Sequence, residues 1–175
     1  MNNKLRIALL CFIGTLSFMS CHKIDDGSFV EPITLYEKVK GSWTLSDVLQ
    51  IDETAKTAGI QPDEISLYDQ FDFSTFQITL DVDADNRPTA YRVDGNAPEL
   101  FPSSGFWDLD TDFPRAAGPA PVINLYSDAG KTSLIGQLNI SAMPGANPVM
   151  DLTLTRKTAG VSFVSYQYKL SKANQ

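Results

Sequence analysis

From Gly41 onward, apolar and polar residues alternate along the chain in short runs, the period of a strand with one buried face. Trp43, Leu45, Leu49 and Ile51 share one face of a first predicted strand, interrupted by Asp47. Phe71 and Phe73 share a face, but Phe76, Ile78, Leu80 and Val82 fall on the opposite parity, so the second strand carries a bulge or break at Ser74-Thr75. Tyr91 and Val93 mark a third strand, Trp107 and Leu109 a fourth, and Ile123 and Leu125 a fifth. Leu134, Leu138, Ile140 and Ala142 line one face of a sixth, and Met150, Leu152 and Leu154 a seventh. Val164, Tyr166, Tyr168 and Leu170 complete an eighth.

Turn residues separate these runs: Asp83-Ala84-Asp85-Asn86, Asp128-Ala129-Gly130, Pro144 to Pro148, and Thr158-Ala159-Gly160. Connectors this short force antiparallel neighbours, because a parallel crossover needs a dozen residues or more. Eight antiparallel strands in meander order predict a closed up-and-down barrel, which leaves no free edge; a two-sheet β-sandwich is the competing architecture. Three connections are longer, at 52–66, 95–104 and 110–121. The first of them holds a predicted short helix over 52–58, stopped by Gly59 and Pro62. Segments 52–66 and 95–104 both follow odd-numbered strands and so share one rim of the barrel.

The N-terminus has a different pattern. Lys4 and Arg6 precede an apolar run from Ile7 to Phe18 that is short for a bilayer span, so residues 1–20 read as a signal peptide. Leu16-Ser17-Phe18-Met19-Ser20-Cys21 resembles a bacterial lipoprotein box, with Phe18 where that family prefers Leu. The resemblance implies that Cys21 is lipidated and becomes the mature N-terminus. His22-Lys23-Ile24-Asp25-Asp26 behind it resembles the surface-export signal of Bacteroidetes lipoproteins. Residues 21–35 are then a lipidated N-terminus and tether, and residues 36–175 the barrel domain. Cys11 and Cys21 are the only cysteines, so a barrel over 36–175 holds neither a disulfide nor a cysteine metal site.

Gly41-Ser42-Trp43, opening the first strand, resembles the Gly-x-Trp motif of lipocalins. In that family the Trp closes the barrel bottom under a basic residue from the last strand, a role the resemblance gives to Lys169 or Lys172. The order of signal, lipobox, tether and eight strands looks like the lipocalin-like lipoproteins of gut Bacteroidetes, over roughly residues 36–172. The helix that follows the last strand in the best-known lipocalins has no counterpart before Gln175.

Charge and histidine content then narrow the function. Lys and Arg number 14 against 21 Asp and Glu, a net −7, and loss of Lys4 and Arg6 with the signal makes the remainder two units more negative. With no basic cluster, this excludes nucleic acid as a partner and leaves the lipid as the route to the membrane. His22 is the single histidine and sits beside the lipid site, so Ser-His-Asp and Cys-His catalysis and a His-rich metal site are excluded. A carboxylate pair, as in glycoside hydrolases, would draw on Glu53, Glu64 or Glu99 with a rim Asp, but no spacing singles one out. The ladders Asp81-Asp83-Asp85-Asn86 and Asp108-Asp110-Asp112 share the opening spacing of a calcium loop. They lack its glycine at the sixth position and glutamate at the twelfth. No cofactor is expected.

Phe101, Phe106, Trp107 and Phe113 lie on or beside the long loops. The expected function is a non-catalytic module of the outer-membrane surface that binds a small apolar molecule or a glycan, with Trp107, Phe106 and Phe101 as candidate contacts at the rim. The alternative is a docking subunit for a surface protein, with the same rim loops over a filled barrel. Cavity volume separates the two.

Overall fold

A computed structural model describes residues 31–113 and 117–173. Its barrel unit, residues 33–175, is all-β with a few short helical turns. Helix α1 (Leu35–Val39) precedes strand β1 (Gly41–Asp52); helix α2 (Glu53–Ala58) and the short strand β2 (Glu64–Ser66) follow it. The remaining strands are β3 (Gln77–Val82), β4 (Pro88–Asp94), β5 (Ser104–Leu109), β6 (Val122–Tyr126), β7 (Leu134–Ala142), β8 (Val149–Thr158) and β9 (Val161–Lys172). Every neighbouring pair is antiparallel, and β9 pairs back onto β1 from Asp52–Val164 to Trp43–Lys172. Eight strands thus close an up-and-down barrel, with β2 as an extra strand on the far half of β1, opposite Leu49 to Ile51. That closure decides against the sandwich.

Local chemistry explains the short elements. Thr34 and Glu37 form a reciprocal capping box at the start of α1, whose Leu35 and Val39, four apart on one face, are buried. Asp52 caps α2 by accepting from the Thr54 and Ala55 N–H groups, and Gly59 in the left-handed region ends it, close to the helix expected over 52–58. Ala159 and Gly160, both at positive φ, make the tight turn between β8 and β9.

The break expected at Ser74-Thr75 is present as a single 3-10 turn, Phe73–Thr75, after which β3 points Ile78 and Leu80 inward. Phe71, upstream of it, is exposed. The first strand is corrected in one respect. A bulge between Leu45 and Asp47 reverses its parity, so Trp43, Leu45 and Val48 fill the core while Leu49 and Ile51 take the opposite face, where Ile51 is nonetheless buried.

The strand directions define two ends. At one lie the starts of β1, β4, β6 and β8 and the end of β9, covered by α1; this is the closed end. At the other, the mouth, lie the starts of β3, β5, β7 and β9 and the segments joining β1 to β3 and β4 to β5. The two long segments expected to share a rim do share it.

Candidate functional site

The mouth is built around the β4–β5 loop, residues 95–103. Gly95 starts it at φ 110°, with the backbone so close to Thr75 that a Cβ would lie 2.3 Å from its carbonyl oxygen. The Asn96 N–H donates to Thr75 Oγ1 at 2.8 Å, and the Val93 N–H to the Ser103 carbonyl at 2.6 Å. From β4 the Tyr91 hydroxyl donates to the Pro102 carbonyl at 2.9 Å, and from β8 the Arg156 guanidinium donates to the Leu100 carbonyl. Burial pushes the Tyr91 phenol up to about 12. Held this way, the loop turns Phe101 into the barrel.

There Phe101 meets Phe76 edge-on at 6.4 Å and Tyr168 edge-on at 5.9 Å, while Phe76 and Tyr168 lie 5.2 Å apart. Burial, then the neighbouring Tyr166, raises the Tyr168 phenol well above its ordinary range. The space left among Phe76, Val93, Leu100, Phe101 and Tyr168 is about 10 Å³, no more than one water would need. Below it, Tyr91, Ile78, Leu80, Ile123, Leu125, Leu138 and Ile140 interdigitate as a closed core. Outside the plug, a hollow of about 390 Å³ opens between the loop and the rim halves of β7 and β8, lined by Leu100, Phe101, Ile135, Gly136, Leu154 and Arg156.

The three aromatic candidates are not brought together. Phe101 is the plug. Phe106 pairs with Ala90 and Tyr126 on the opposite parity to the core and lies half-buried on the outer face. Trp107, expected near the rim, is corrected: β5 runs away from the mouth, so three residues carry Trp107 about 10 Å inward of Ser104. It is fully buried near the closed end, donates from Nε1 to the Asp81 carbonyl at 2.8 Å, and meets Tyr36 of α1 edge-on at 6.3 Å.

Trp43 is also fully buried, at the closed end, and donates from Nε1 to the Val39 carbonyl of α1 at 2.7 Å. Of the two lysines considered for that end, Lys172 is the one in place, with Nζ 4.3 Å from the Trp43 ring centre and donating to the Lys40 carbonyl. Lys169, three residues earlier and so on the opposite parity, points to the outer surface and pairs with Asp47 at 3.3 Å. Burial, then Lys40, lowers the Lys172 ammonium from its ordinary value. Gly41 is needed here twice over: its φ is 96°, and a side chain would meet Lys172 Nζ at 3.2 Å.

The acids have local partners. Asp108 pairs with Lys131 at 2.9 Å, Asp110 accepts the Val122 N–H, and Asp112 accepts from the Tyr36 hydroxyl at 3.0 Å. Asp81 pairs with Arg92 at 3.5 Å, and Asp83 accepts the N–H groups of Asp85 and Arg87 in the β3–β4 turn. Glu53 opens α2, Glu64 sits on β2 and Glu99 on the mouth loop, three separate elements, none of them buried. Cys21 lies outside the described residues. What the sequence reading missed is Arg156 and α1: an arginine of inward parity that clasps a loop, and a five-residue helix too short to show a period.

A family defined by a domain of unknown function, DUF5004, matches residues 17–171. The chain belongs to that family. No curated protein and no solved structure matches it. The DUF5004 match takes in Cys21 and the tether as well as all but the end of the barrel.

Proposed function

We propose that this DUF5004 protein is a lipid-anchored lipoprotein of the bacterial outer-membrane surface, lipocalin-like in build, that works without catalysis as a docking subunit for another surface protein. The observation that carries the docking reading is the plugged mouth. With Phe76, Phe101 and Tyr168 in contact and about 10 Å³ between them, recognition is left to the outside of the barrel. The anchor is supported by the order of n-region, apolar run and Ser20-Cys21, and several acyl chains hold a protein firmly where one does not. Within the barrel unit α1 lies at the closed end, opposite the mouth loops.

A second reading keeps a small ligand, an apolar molecule or a glycan, in the 390 Å³ hollow beside Phe101. Cys21→Ala tests the anchor: the variant is expected in the soluble fraction, and its retention on membranes at high salt would refute lipidation. Native electrophoresis of the full chain in mild detergent tests docking. A complex with a second polypeptide is expected. A lone chain whose melting shifts with fatty acids or oligosaccharides would give the second reading its place.

A further inference from the structure

The barrel wall is open along one seam. Strands β7 and β8 pair through Ala142–Asp151, Ile140–Leu152 and Asn139–Thr153, and the ladder ends there. Yet β7 stays paired to β6 as far as Leu134, and β8 to β9 as far as Thr158. Toward the mouth the two strands therefore diverge. The Ile140 N–H donates to the Pro121 carbonyl on the β6 side, so by alternation the Gln137 N–H and C=O face the seam. Counting from Thr153, the backbone of Thr155 and Lys157 faces it from the other lip.

Each face of the seam has its own hollow. The inner one is the hollow lined by Phe101, Ile135 and Leu154 together with the charged Arg156 and Glu99. The outer one, about 360 Å³, is lined by Val122, Gln137, Asn139, Thr155, Lys157 and Ser162, with Lys157 its one charge. The β7 lip, Leu134 to Leu138, carries neither a charge nor a proline, the usual guards of a strand edge, and Leu134 is half exposed.

We propose that this seam takes an extended acidic peptide segment of a partner protein as an added strand. Backbone groups at Gln137, Thr155 and Lys157 supply the ladder. Alternate side chains of the guest place apolar groups in the inner hollow and carboxylates against Lys157 in the outer one. The proposal rests on the docking reading and names its surface.

A capped heptapeptide alternating valine and glutamate, fluorescently labelled, serves as probe for the full chain in detergent. Saturable binding is expected, with protection of the Gln137, Thr155 and Lys157 amides from hydrogen exchange. Lys157→Glu is expected to weaken binding at least tenfold, and Gln137→Pro, which removes a seam N–H, to abolish it. A peptide with lysine for glutamate should bind at least tenfold more weakly. Amides left unprotected by the peptide, or binding indifferent to both substitutions, would overturn the proposal. So would a self-association that Gln137→Pro abolishes, which would make a second copy the guest. If the native complex forms but survives both substitutions, docking stands and the seam does not; if no complex forms, docking itself fails.

Discussion

The closed end and the mouth are both packed with aromatic rings, and they differ in what holds the rings in place. At the closed end Trp43 and Trp107 sit on strands, each donating its indole N–H to a carbonyl, with α1 packed over them through Leu35, Val39 and Tyr36. Regular backbone on every side leaves those rings little room to relax. At the mouth, Phe101 hangs from a loop held by a few hydrogen bonds from Tyr91, Arg156 and Thr75, beside a wall where β7 and β8 have parted. The same kind of side chain is a keystone at one end and a stopper at the other. Stability concentrates where elements are mutually paired, and the docking proposed above would use the end that is not.

The sharpest break of this comparison is Trp43→Ala. Removing a fully buried Trp between paired strands is expected to cost about 3–5 kcal/mol, read as a lowered urea midpoint by circular dichroism. Trp107→Ala should fall in the same range, which a rim ligand contact would not. A loss below about 1 kcal/mol at either position would contradict the packing ascribed to the closed end.

Phe101→Ala is expected to cost less, about 2 kcal/mol or below, because a loop can settle into the space that a strand cannot. The change should be local. Amides of Val93 and Asn96, both bonded across the loop base, should exchange faster while those around Trp43 do not. A global loss equal to that of Trp43→Ala would mean that the plug belongs to the core.

Much of this difference was legible in the sequence, and the reasons it was only partly so are physical. Eight alternating runs with short polar turns specify the strands and their antiparallel order, because a period of two and a two-residue turn are local signals. The two long segments at one rim followed from strand parity alone. The bulge after Leu45 was not legible: a single extra residue at Ser46 reverses the inward set, and Leu45, Leu49 and Ile51 look equally apolar in either register. Trp107 was misplaced for a related reason, since proximity to a loop in sequence says nothing about the direction in which β5 carries it. Lys169, three residues before Lys172, has the opposite parity and is excluded by the alternation of Tyr166, Tyr168 and Leu170, but the seat of Lys172 over Trp43 depends on where β1 and β9 come into register. The seam was illegible altogether, because divergence of β7 from β8 is a property of barrel closure and not of either strand.

The loop clasp at Tyr91 gives a smaller and pH-dependent effect. Tyr91→Phe removes the bond to the Pro102 carbonyl and is expected to cost about 1 kcal/mol at neutral pH. The folded phenol ionises near 12 against an ordinary value of 10, so the folded state holds this proton more tightly. The stability it contributes is complete below pH 10 and is lost as pH rises from 10 through 12. Tyr168, raised in the same direction, adds to that loss. Urea midpoints of the parent should therefore fall across this window, and those of Tyr91→Phe should fall less steeply. Parallel curves would mean that the Tyr91 phenol is not desolvated when folded.

The smallest expected effect separates the two lysines of β9 and so tests which of them belongs to the closed end. Lys169 and Asp47 form an ion pair with both side chains partly in solvent, at 40% and 29% exposure. Such pairs contribute little, so Lys169→Ala should cost about 0.5 kcal/mol or less, shrinking further with added salt. Lys172 lies over the Trp43 ring and bonds the Lys40 carbonyl, so its stem covers indole surface that would otherwise be wet. Lys172→Ala should cost about 1 kcal/mol and respond little to salt. Its ammonium is also held below its ordinary value by burial and by Lys40, so in the folded state its charge is disfavoured while its stem is not. Lys172→Met keeps the stem and discards the charge, and is expected to recover most of what Lys172→Ala loses. If Met is no better than Ala, the charge on the ring outweighs the covering; if Lys169→Ala is the costlier alanine, the wrong lysine has been placed at the closed end.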